Sequence, residues 1–88
     1  MKITDVRIRL KDEPKLKAVA SITFDECFVI HDVKVIEGQD GLFVSMPSKK
    51  GADGKHKDIC HPIVTDTRNE IKDAVLVAYN QALETANV

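Results

Sequence analysis

Lys49, Lys50, Lys55 and Lys57 fall within the seventeen residues MPSKKGADGKHKDICHP at 46–62, against two carboxylates, Asp53 and Asp58. The segment is therefore locally +2, in a chain whose formal net charge is −1. Ammonium groups at this density suit one chemistry above others: they neutralise phosphates, and each neutralised phosphate releases condensed counterions. A helix beginning shortly afterwards adds free backbone N–H groups and Arg68. On composition alone the stretch reads first as a solvated hairpin tip. A homodimer changes that arithmetic, because a two-fold axis doubles the positive surface and spaces it regularly.

Other chemistries lack their machinery. His31, His56, His61, Cys27 and Cys60 are the soft-metal donors, but a tetrahedral site usually draws on two close pairs. Only Cys60 and His61 are close, and neighbours on a strand point to opposite faces. The same geometry separates His31 from Asp32, which have the residue types of a base and its orienting carboxylate, and no nucleophile stands in a recognisable motif. Gly38, Gly41, Gly51 and Gly54 form neither GxGxxG nor the P-loop pattern. The two cysteines have neither a CxxC nor a paired spacing and read as buried thiols. The expectation is a non-enzymatic chain with no metal and no cofactor.

The elements that must carry the lysines follow from periodicity. Val6, Ile8 and Leu10 alternate with Arg7 and Arg9, the period of a half-buried strand, and Lys11 to Lys15, with Pro14, reads as a turn. Leu16, Ala18, Ala20, Ile22 and Phe24 then share one face of a second strand. Cys27 to Ile36 is rich in β-branched residues and predicts a third, with Val29, His31, Val33 and Val35 in phase. Gly38 to Gly41 suits a loop needing positive φ, and Leu42 to Met46 resumes an apolar strand that Pro47 ends at a sheet edge. Gly51 to Gly54 turns the chain into a short extended piece, roughly Lys57 to Ile63.

From Thr65 the period becomes 3.6. Ile71, Ala74, Val75, Ala78 and Ala82 form one apolar stripe, widened by Tyr79 and Leu83. Thr67 and Glu70 have capping-box spacing, so the helix is expected from about Thr67 to about Ala86. The class is α+β: an antiparallel sheet of about five strands, spanning about residues 2–63, followed by one C-terminal amphipathic helix.

At 88 residues, with 43% hydrophobic and 31% charged residues, the chain has the composition of one globular domain. A core with one tyrosine, three phenylalanines and no tryptophan must rest on aliphatic side chains. So short a chain leaves apolar surface unpaired, which favours a homo-oligomer. Neither a secretory h-region nor an eighteen-residue apolar run is present, so the expected location is cytoplasmic, without a membrane partner.

The pieces Val29-Ile30-His31-Asp32, Gly41-Leu42-Phe43-Val44, Met46-Pro47-Ser48-Lys49, Asp58-Ile59 and His61-Pro62-Ile63, within a match over nearly the whole chain, resemble the stage V sporulation protein G family of bacterial regulators. The resemblance implies a small β-sheet followed by a helix, dimerisation, and binding of DNA and RNA in control of gene expression, sporulation or septation and cell division. On that resemblance Lys49, Lys50, Lys55, Lys57 and Arg68 are the expected nucleic-acid contacts. Asp66 and Glu70 stand beside Arg68 where the family usually has small, neutral or basic residues, and Cys60 takes a place often filled by alanine. Carboxylates repel phosphate, which shifts weight from the helix start to the lysine loop. The expected dimer contact pairs the edge strand Leu42 to Met46, helped by helix packing. A protein-interaction adaptor that never touches nucleic acid is the competing class.

Overall fold

The computed structural model describes residues 2–86. Four strands, β1 (Ile3–Leu10), β2 (Leu16–Phe24), β3 (Phe28–Gly38) and β4 (Gly41–Ser45), form an antiparallel meander in the order β1-β2-β3-β4. Two short strands, β5 (Ser48–Lys50) and β6 (His56–Asp58), pair as a separate ribbon, and α1 (Thr65–Ala86) follows. The expected single sheet of about five strands is thus a sheet of four plus a ribbon of two. Pro47, which lacks a donor and is buried, interrupts the chain between β4 and β5. β6 ends at Asp58, short of the expected Ile63.

One sheet face carries the core. Ala18, Ala20, Ile22 and Phe24 of β2 are buried in strict alternation, as expected, together with Val33 and Val35 of β3 and Ile71, Val75 and Tyr79 of α1. Val6, Ile8 and Leu10 pack against this cluster, and the helix lies mainly along β1. The buried helical residues recur every four positions, so one stripe meets the sheet while Arg68, Lys72 and Asp73 stay in solvent. Leu76, outside the expected stripe, is half-buried against the core.

β3 does not keep a single phase. Ala20 pairs with Val33 but Ile22 pairs with Ile30, so two residues of β2 span three of β3 and the register shifts there. The extra residue is absorbed at His31-Asp32, where Asp32 takes a left-handed φ of 64°. Ile30 and Val33, an odd distance apart, therefore both face the core, whereas Val29 and His31 turn outward. This corrects the expectation that Val29, His31, Val33 and Val35 share a face.

The β2–β3 turn is strained and clamped. Asp25 and Glu26 both have positive φ, 51° and 58°, a geometry that favours Asn-Gly. Cys27 N–H donates to Phe24 O at 3.0 Å, and the start of β1 holds the tip. There Asp25 N–H donates to Lys2 O at 2.8 Å, Lys2 N–H donates to Asp25 Oδ1 at 3.0 Å, and Glu26 N–H donates to Thr4 Oγ1 at 3.0 Å. Cys27 is exposed here, not buried as expected, because it sits at a hairpin tip; Cys60 is half-buried. Glu26→Gly should relieve a side chain from a region that costs a non-glycine residue about 1 kcal/mol. Thermal unfolding should then shift upward by roughly 4–8 °C. An unchanged or lower midpoint would mean that the turn is not strained.

At the other end Gly41 takes the expected positive φ, 116°. The Phe43 ring lies over Gly38, where an added Cβ would come within 3.0 Å of it, so the glycine leaves room for an aromatic cover of the strand end.

Candidate nucleic-acid interface

The lysine segment is a two-stranded ribbon whose register places the charges. Ser48 pairs with Asp58, Lys49 with Lys57, and Lys50 with His56. Side chains alternate across a ribbon, so Lys49 and Lys57 share one face, while Lys50 and His56 lie on the other with Asp58. The tip is closed by Gly51 N–H to Lys55 O at 2.8 Å and Gly54 N–H to Gly51 O at 3.0 Å. Gly54 has φ 82°, a left-handed turn position that glycine adopts without strain. Asp53 Oδ1 accepts Lys55 N–H at 3.0 Å, so the tip carboxylate is already engaged in shaping the loop.

At the ribbon's base, Ile59 N–H donates to Pro47 O at 2.7 Å and extends the pairing by one bond. All four lysines are exposed, and among the described residues the ion pairs are Arg7–Asp5 and Lys17–Glu37, neither involving the ribbon. A directly opposed like-charge pair destabilises an antiparallel ladder. Lys49 and Lys57 therefore stand together at a small cost to folding, with no protein carboxylate to offset it.

The structure brings together four of the five expected contacts and leaves Arg68 apart, on the first turn of α1. That helix begins at Thr65, two residues before the expected start, with Arg68 N–H donating to Val64 O at 3.1 Å. Thr67 and Glu70 consequently lie inside the helix, and no capping box forms there among the described residues. Asp66 occupies the first turn, where a carboxylate suits the helix dipole and opposes an approaching phosphate. The basic surface is the ribbon, not the helix terminus.

The sequence model of the SpoVG family matches residues 1–81, taking in the sheet, the ribbon and most of the helix. The chain belongs to the SpoVG family. Among its relatives, a septation protein SpoVG of Caldanaerobacter subterraneus is 60% identical over 85 residues, covering 96% of this chain and 93% of the relative. That of Clostridium botulinum strain Alaska E43 is 56% identical over 89 residues, covering 100% and 98%. That of Clostridioides difficile is 57% identical over 84 residues, covering 94% and 91%. These SpoVG relatives are named for septation and not for a catalytic activity.

Proposed function

We propose that this chain is a bacterial regulatory protein that binds nucleic acid, DNA or RNA or both, through the β5–β6 ribbon, as a homodimer, in control of gene expression linked to septation or sporulation. The observation that carries this reading is the exposed, directly opposed Lys49–Lys57 pair, flanked by Lys50 and Lys55. Folding alone disfavours it and a polyanion rewards it. Arg68 is a peripheral contact, reached by a strand of nucleic acid running on toward the helix. Such a partner puts the protein's work in the cytoplasm, and among the described residues no helix is long and apolar enough to cross a membrane.

Dimerisation supplies the second ribbon. β4 is an edge strand with unpaired backbone groups, and Leu42 and Phe43 on it are exposed, as is Val77 on the helix. Pairing of the Leu42 to Met46 edges, with helix packing, would cover them. Light scattering at micromolar protein should give a dimer mass, and a monomer mass would remove this contact.

Binding itself is tested by titrating labelled DNA and RNA at two salt concentrations. If paired ribbons neutralise about six phosphates, affinity should fall about a thousandfold between roughly 50 and 200 mM salt. Absence of salt-dependent binding to either nucleic acid would leave the adaptor reading. That alternative is favoured by the exposed Ile59, Ile63 and Val64 beside the ribbon, and it predicts salt-insensitive capture of one protein partner.

A further inference from the structure

The sheet face turned away from the helix is not a plain solvated surface. It holds a concave site of about 690 Å³, within the size range of small-molecule pockets. Its polar groups are sorted by strand. β1 contributes Arg7 and Arg9, whose guanidinium groups stand two residues apart on one face, and β2 contributes the hydroxyls of Ser21 and Thr23. β3 contributes His31 and Asp32, re-aimed by the bulge. Ser21 Oγ lies 2.8 Å from His31 Nδ1, which orients the imidazole over the middle strand and leaves Nε2 without a partner among the described residues.

Val19 and Val29, on either side of the Arg7–Ser21–His31 row, give the site its apolar lining. Arg7 is joined to Asp5 at 3.2 Å, a solvent-exposed pair of the kind that contributes little to stability. Arg9 has no carboxylate partner among the described residues.

The geometry points to a ligand-binding site for a small sugar phosphate or nucleoside monophosphate. A guanidinium fork matches a phosphate bidentately, and the two arginines supply that end. Strands stand about 4.8 Å apart, so β1 to β3 spans about 10 Å. A ligand crossing the site meets cations first, then hydroxyls flanked by Val19 and Val29, then an imidazole and a carboxylate that hydrogen-bond to sugar hydroxyls. Asp32 at the far end and Asp5 beside Arg7 leave the site with no net charge, which separates it from the lysine ribbon and disfavours a continuous phosphate backbone more than a ligand with one anionic end.

An amide NMR titration of the full chain with ribose phosphate, adenosine monophosphate, adenosine and inorganic phosphate tests the site. The first two should give saturable shifts at Arg7, Arg9, Ser21 and His31 with a Kd of about 1 mM or tighter. Adenosine and inorganic phosphate should bind at least roughly tenfold more weakly, each lacking one half of the match. Arg9→Gln, on an exposed position that packs against nothing in the core, should weaken ribose phosphate by a similar factor. The Lys49→Glu, Lys50→Glu chain should bind it as the parent does.

Absence of outer-face shifts, equal binding of inorganic phosphate, indifference to Arg9→Gln or dependence on the ribbon lysines would each overturn the proposal. None of these outcomes bears on nucleic-acid binding, which is read separately from the salt titration.

Discussion

Lys57→Glu should yield a chain that unfolds at a higher temperature than its parent and binds nucleic acid more weakly. The substitution turns the opposed Lys49–Lys57 pair into a cross-strand ion pair, worth about 0.2–1 kcal/mol in a ladder. In the nucleic-acid complex the same change removes an attraction and adds a repulsion, each about 1 kcal/mol for exposed groups at contact distance. Adding Lys49→Glu doubles that loss, bringing the affinity down by roughly a hundredfold or more. Loss of two phosphate contacts should also lower the salt slope by about two units per ribbon. Anisotropy titrations at several salt concentrations, paired with thermal unfolding, read both effects. A single change that moves stability and binding in opposite directions marks a residue kept for its partner. Parallel loss of both would mean that Lys57 supports the ribbon's structure, and unchanged binding would remove the ribbon from the mechanism.

The basic hairpin tip was legible in the sequence because its signals are local, glycines at the turn, lysines on either side and a proline that ends the preceding strand, whereas the strand Ser48–Lys50 and the ribbon's separation from the sheet were not. β1, β2 and the helical stripe were legible for the same reason, since strict alternation or a 3.6 period needs no knowledge of a partner. β3 was not. Asp32 accepts a left-handed φ as readily as an extended one, and Val29 and His31 are as suited to a core as to an outer face, so nothing marks the bulge that flips them.

The outer site was hidden by the same cause. Arg7, Ser21 and His31 are brought into one row only by cross-strand register, and the register depends on that bulge. Cys27 misled because apolar character suggests burial, whereas its position is set by an acidic turn whose strain is offset by contacts from β1. The family resemblance covered what periodicity could not reach, above all the expectation of a nucleic-acid partner.

The phase of β2 and β3 has a direct energetic consequence at two adjacent residues. Ile22 is 1% exposed and pairs with Val6 on one side and Ile30 on the other, in the row beside the bulge. Ser21, its neighbour, faces the outer site, and its side chain bonds to a solvent-accessible imidazole. Ile22→Ala removes buried methyl groups and leaves a void between β2 and α1's packing face, a change that costs about 2–5 kcal/mol. A chain of this size holds only about 5–13 kcal/mol in total, so the variant loses a large share of its stability, and its midpoint should fall by roughly 8–40 °C.

Ser21→Ala should stay within about 0.5 kcal/mol of the parent. Chemical denaturation of both, compared at equal slope so that the unfolded states match, separates the faces. Near-equal effects would mean that the bulge does not divide core from outer surface as described, and the outer site would lose the register that assembles it.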